Sequence, residues 1–226
     1  MNGGRRVILY LFDIDGTLLH AHGSGRAAFD AVIAAQHGVT DASRGIRYGG
    51  KTDPLILDEI LTARRGHAAT ADEHAAFIAA YVRELERLLA DTGAEVIDGV
   101  TAALTFLAER RDVRLGIATG NVKAGADAKL AAAGLAHWFA RDPIGGYGSD
   151  SPRRAELVAA AIARAPDASQ VVVVGDTIYD IAAARACDAI AVAVATGSDS
   201  HLALADADIV LDSLHALPAW HARRFS

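Results

Sequence analysis

The sequence predicts an α/β fold: a doubly wound, mainly parallel sheet interrupted by an inserted block of helices. Three observations predict it. Apolar runs of strand length recur along the chain, they alternate with longer helical patterns, and one interval breaks that rhythm. Runs without polar alternation are buried on both faces, as strands of a parallel sheet covered by helices are. Strand–helix alternation then points to a doubly wound sheet.

Taken in order, residues 7–12 form the first apolar run, and 115–118, 171–174, 189–194 and 209–211 supply the others. Helical patterns span 101–110, 123–133, 154–164 and 178–186 between them. From His20 to Glu95 no strand is expected, and 26–36, 54–64 and 71–90 read as helices. Thr52 and Asp53 before Pro54 suit a helix cap followed by a first-turn proline. The simplest division is a core of residues 1–19 and 96–226 around a helical insert of residues 20–95.

Composition narrows the function classes. The chain has 226 residues, a net charge of −6 and 52% hydrophobic residues. It is long enough to bury a sizeable core. The acidic balance argues against nucleic-acid binding, which needs a basic stripe to displace counterions. The lone Cys187 has no internal disulfide partner, which fits a reducing compartment. The first apolar run is too short for a signal peptide, and no run approaches a membrane span. A soluble, cytoplasmic protein is expected, with no membrane partner.

The chemistry concentrates just past three strand ends, where open α/β sheets bind ligands. These carry Asp13-Ile14-Asp15-Gly16-Thr17, Thr119-Gly120-Asn121, and Gly175-Asp176-Thr177-Ile178-Tyr179-Asp180. A lone aspartate after a strand is usually a turn former or helix cap. Three such segments in succession are much more specific. Thr119 as a plain cap and Asp180 as a solvated helix residue stay open as readings of those two residues alone.

Together these segments resemble motifs one, two and four of the haloacid dehalogenase-like hydrolase superfamily. The resemblance runs over nearly the whole chain and includes the insert, which is similar to the helical cap of the phosphoglycolate phosphatase-like subgroup. It implies a Rossmann-like core and a Mg²⁺-dependent phosphomonoester hydrolase working through an aspartyl-phosphate. In that scheme Asp13 is the nucleophile and Asp15 the acid and later base. Thr119, Gly120 and Asn121 hold phosphate oxygens as charge shifts. The metal is implied to lie against the Asp13 side chain, the Asp15 backbone carbonyl and Asp176, with Asp180 a further, water-mediated partner. The substrate is implied to be a small phosphorylated metabolite.

One motif departs from the pattern. Many relatives place a lysine before a proline in the third motif, and this chain offers Arg153 and Arg154 in Ser151-Pro152-Arg153-Arg154 instead. A cation there would bind phosphate and tether Asp13. Arg154 is favoured, because it lies one turn before Val158 on the expected helix.

Several rivals need weighing. Gly45-Ile46-Arg47-Tyr48-Gly49-Gly50-Lys51-Thr52 satisfies the P-loop pattern of a nucleotide-binding protein, but no apolar strand precedes it. A cap loop that brings Lys51 to the non-phosphate end of the substrate is the alternative reading. The glycines around Ser24 suit a hinge between core and insert. His20 and His22 read as loop residues, and Trp138 and Trp220 as packing. A phosphomutase shares Asp13 and Asp15. Dehalogenation is disfavoured, because C–halogen cleavage needs no acid at the position of Asp15. A non-catalytic phospholigand-binding module is the alternative outside enzymes.

Overall fold

The computed structural model describes residues 6–141 and 143–225. Residues 1–5, which the sequence assigned to the core, lie outside the described part, as do Asp142 and Ser226. The elements are β1 Ile8–Phe12, β2 Leu19–His20, α1 Ser24–His37, α2 Asp53–Arg65, α3 Ala71–Thr92 and β3 Glu95–Val96. There follow α4 Val100–Ala108, β4 Val113–Ala118, α5 Lys123–Ala132, α6 Ala136–Ala140 and β5 Ile144–Gly146. The chain closes with α7 Arg154–Ala163, β6 Gln170–Gly175, α8 Ile178–Ala186, β7 Ile190–Val194, β8 Ile209–Leu211 and α9 Leu217–Phe225.

The main sheet has six strands in the order β5-β4-β1-β6-β7-β8, and every neighbouring pair is parallel. β1 is central, and its pleat splits the core in two. Tyr10 and Phe12 enter one cluster with Leu104, Leu107 and Trp220. Leu9 and Leu11 enter the other with Leu157, Val158 and Ile181. Each fully buried side chain of this size contributes about 1.5–3 kcal/mol. With helices on both faces, the sheet is doubly wound, as the apolar runs predicted. The chain moves outward from β1 through β4 to β5 and then returns to place β6 on the other side of β1. The crevice at that reversal, past the ends of β1 and β6, is where such sheets bind ligands.

The sequence reading missed three strands. β5 contributes Ile-Gly-Gly to the sheet edge, too short and too glycine-rich to register as a strand. β2 and β3 pair antiparallel, Leu19 with Val96 and His20 with Glu95, where the chain enters and leaves the helical insert. Two residues show no periodicity, so the expectation of no strand from His20 to Glu95 is corrected at its two ends.

Local chemistry sets the insert's helices. The Thr52 side chain caps α2, with Pro54 in the first turn. Thr70 and Glu73 form a reciprocal capping box at α3. Gly38 and Gly66 end α1 and α2 in the left-handed conformation. Phe29 joins the helices, its ring centroid 4.8 Å from that of Phe77 and 4.6 Å from that of Tyr81. The segment that satisfied the P-loop pattern belongs to this insert. Turns and irregular backbone, not a buried strand, lead into it, so its resemblance to a phosphate loop lacks the required context.

Candidate active site

Asp13 stands immediately past β1, its amide still donating to the Val174 carbonyl (2.9 Å). The chain must then turn at once. Gly16 does so at φ 81°, and a Cβ there would stand 2.7 Å from Asp176 Oδ2. A glycine at this position therefore serves both the turn and the close approach of a second carboxylate. Asp176 follows β6. It accepts from Thr17 Oγ1 (3.2 Å) and from the Ser198 amide (3.1 Å). Asp180 lies in the first turn of α8, where its Oδ2 accepts from the Thr177 amide (3.0 Å) and hydroxyl (2.7 Å).

Asp13, Asp176 and Asp180 are all buried and converge, with one oxygen of each lying within 4.8 Å of the others. Arg154 answers two of them. Its Nε donates to Asp180 Oδ1 (2.7 Å), and its Nη2 lies 2.7 Å from Asp13 Oδ2 and 2.6 Å from Asp180 Oδ1. Arg153 points away, largely exposed and paired with Glu156. Of the two arginines, only Arg154 reaches the acidic cluster.

Burial pushes the Asp13 carboxyl up to about 6, with Asp180 and Asp15 adding to the push and Arg154 opposing it. Asp176 is pushed up to about 8, first by burial and then by Asp13 and Asp180. Three carboxylates around one guanidinium are thus short of positive charge. The set is hard, oxygen-only and acidic, which suits Mg²⁺. Both oxygens of Asp180 and both of Asp176 already accept hydrogen bonds, so a metal would share these carboxylates with their present donors. Among the described residues this is the one grouping of potential ligands so arranged; His20 and His22 take no part in it.

Asp15 occupies the opposite wall. Lys129 Nζ contacts both its oxygens (2.8 and 2.6 Å), and Asn121 Nδ2 donates to Oδ2 (2.8 Å). Burial would raise this carboxyl, but Lys129 and Asn121 outweigh it and hold it below the usual range. The Thr119 hydroxyl oxygen accepts from Asn121 Nδ2 (2.9 Å), which leaves its own hydrogen for a ligand. Gly120 lies where the insert meets the core. A Cβ there would be 2.1 Å from the Lys51 carbonyl oxygen, and the Gly120 carbonyl accepts from the Asp53 amide (2.8 Å).

Asp13, Asp15, Asp176, Arg154 and Thr119 line one cavity of about 440 Å³ between sheet and insert. Tyr48, Lys51, Asp53 and Tyr81 of the insert form its far wall. Lys51 does line it, but its ammonium pairs with Glu59 of α2. Two residues that the sequence reading did not single out belong to the site. Lys129 interrupts the buried face of α5 formed by Gly125, Ala126 and Leu130, and a lysine in an apolar stripe was the available signal. Asp53, read only as part of a cap, receives the Val122 amide at the start of α5 (2.8 Å). No pattern in sequence announces that contact, because it crosses from insert to core.

Comparison with known proteins identifies the family. The profile of haloacid dehalogenase-like hydrolases matches residues 9–188. A phosphoglycolate phosphatase of Rhodospirillum rubrum is 31% identical over 217 residues, which cover 93% of this chain and 89% of that protein. A hydrolase from Pseudomonas syringae superposes with a TM-score of 0.73 at 22% identity, over 98% of this chain and 99% of that one. A protein from Bacteroides vulgatus, provisionally named a β-phosphoglucomutase, gives 0.70 at 18% identity, over 98% and 90%. The last two likenesses concern the fold. From the matched profile and the full-length relative, the chain belongs to the haloacid dehalogenase-like hydrolase family.

Proposed function

We propose that the protein is a Mg²⁺-dependent phosphomonoesterase that dephosphorylates a small metabolite through an aspartyl-phosphate on Asp13. The observation that carries this reading is the convergence of Asp13, Asp176 and Asp180 around Arg154 at the sheet reversal.

Asp13 attacks phosphorus as the bond to the leaving oxygen breaks, and Asp15, which takes up a proton when the anionic substrate enters beside it, gives that proton to the leaving oxygen. Water then attacks the aspartyl-phosphate, Asp15 takes its proton, and inorganic phosphate and free Asp13 are restored. The Thr119 hydroxyl and the amides of Gly120 and Asn121 hold the phosphate oxygens while charge builds on them. Arg154 keeps Asp13 aimed into the cavity and supplies a fixed positive charge. Mg²⁺, held by Asp13, Asp176 and the Asp15 carbonyl with Asp180 behind them, would neutralise phosphate and carboxylates together. The insert, residues 20–95, acts as a cap that closes over the substrate, and Lys51 meets the non-phosphate end after exchanging Glu59 for it.

The Rhodospirillum rubrum relative makes phosphoglycolate the first compound to assay, followed by sugar phosphates and nucleoside monophosphates. The test is release of inorganic phosphate from these and from p-nitrophenyl phosphate, with Mg²⁺ or EDTA, in wild type and Asp13→Asn. Mg²⁺-dependent release that Asp13→Asn reduces by at least about 10³-fold is expected. Turnover in EDTA, or an active variant, would reject the mechanism. Sugar-phosphate isomerisation dependent on added bisphosphate would favour a phosphomutase instead.

A further inference from the structure

Lys129 is a buried cation that the proposed chemistry leaves without a task. Its side chain is 6% exposed. Desolvating an ammonium costs several kcal/mol unless its partners compensate. A lysine used only to fill the apolar face of α5 would be a poor choice there.

All three of its hydrogen-bond contacts lie in the active site. Two go to the Asp15 oxygens and the third to Asn121 Oδ1 (2.7 Å). Asn121 Nδ2 in turn donates to Asp15 Oδ2 and to Thr119 Oγ1. The three side chains therefore close a triangle that fixes both torsions of the Asp15 carboxylate. With the triangle in place that side chain still presents 44% of its surface to the cavity. Gly25 of α1 and Tyr81 of α3 roof the pair. A Cβ on Gly25 would lie 3.6 Å from Lys129 Nζ and 3.7 Å from the Tyr81 hydroxyl. The ammonium thus sits on the seam between core and insert.

We propose that Lys129 is a positioning residue. With Asn121 it holds the Asp15 carboxyl group in the orientation from which it serves the leaving oxygen. This rests on the phosphomonoesterase reading and deepens it. The hydrogen bonds of Lys129 go to Asp15 and Asn121 and not to Asp13, so it acts through Asp15.

The role has a signature that simple structural support lacks. Help from an acid matters most when the leaving group is a strong base. Phenolate is one, since phenol resembles the tyrosine side chain with a pKa of about 10. Nitrophenolate is a much weaker base and departs with little assistance. The readout is kcat/KM, which reports the half-reaction that phosphorylates Asp13. Lys129→Met should lower kcat/KM for phenyl phosphate about tenfold or more, within the 10²–10⁴ range of acid–base catalysis. For p-nitrophenyl phosphate the loss should stay under about threefold, since acid assistance contributes little there. Lys129→Arg should restore part of the phenyl phosphate rate. In an Asp15→Asn background, Lys129→Met should add no further loss on either substrate.

Equal losses on both substrates, in Lys129→Met and in the milder Lys129→Gln, would overturn the proposal. So would a full additional loss in the Asp15→Asn background. If wild type hydrolyses neither ester, or Asp13→Asn is as active as wild type, the phosphomonoesterase reading itself fails. Wild-type turnover with uniform Lys129 losses rejects the positioning role alone.

Discussion

Replacing Arg154 by methionine removes the cation shared by two buried carboxylates while keeping an unbranched chain in place. In the native arrangement the side chains of Arg154, Asp13 and Asp180 are 8%, 10% and 4% exposed, with charge contacts of 2.7 and 2.6 Å. Deleting one partner of a buried pair costs about 3–5 kcal/mol, because the remaining charges stay desolvated. At about 2–4 °C per kcal/mol for a chain of this size, Tm should fall by about 6–20 °C. The assay is thermal unfolding in EDTA at pH 7.5, repeated at pH 5. Asp13, already pushed up to about 6, binds its proton more readily folded than unfolded. Its charge therefore costs stability as pH rises from about 4 through 6, and little below that. Losing Arg154 enlarges this cost, so the deficit should shrink at pH 5. Lys at this position should recover part of the Tm, since it keeps the charge and loses the fork. A Tm change under about 2 °C at pH 7.5, against the 3–5 kcal/mol cost, would refute the view of Arg154 as the site's electrostatic anchor.

Other consequences can be read at the seam between insert and core. Gly120→Ala would bring a methyl to 2.1 Å from the Lys51 carbonyl oxygen. Overpacking of this kind costs about 1–3 kcal/mol. Trypsin should therefore cut at Arg47 and Lys51 faster than in wild type, and unchanged cleavage rates would contradict the tight seam. Burial pushes Asp53 up to about 6 against help from Lys129 and the Val122 amide. Its folded value is above its unfolded one, so its contribution to stability is fully present below about pH 4 and lost as pH rises through about 6. Asp53→Asn keeps an acceptor for Val122 without the charge. It should gain about 1–3 kcal/mol at pH 7.5 and nothing at pH 4, by urea unfolding. An equal loss at both pH values would contradict this account.

Legibility in the sequence depended on how local the cause was. β1 could be read because Leu9 to Phe12 are apolar on both faces, and α2 because Thr52 and Pro54 mark its start. β5 and the β2–β3 ribbon could not, since two or three residues carry no periodicity. Asp13, Asp15 and Asp176 announced themselves by following apolar strands. Lys129 did not, because a lysine in a helix is ordinarily solvated and only its neighbours in space show otherwise.

The sequence alone determined the doubly wound core, the helical insert and the family to which the chain belongs. Each is written in periodicities and short motifs within single elements. Only the tertiary structure decided which arginine meets Asp13, that Lys129 and Asn121 hold Asp15, and that Asp53 ties the insert to α5. Those contacts join residues 69 to 141 positions apart in the chain. The parallel sheet brings them together, because each crossover returns the next strand in the same direction and delivers distant strand ends to one edge.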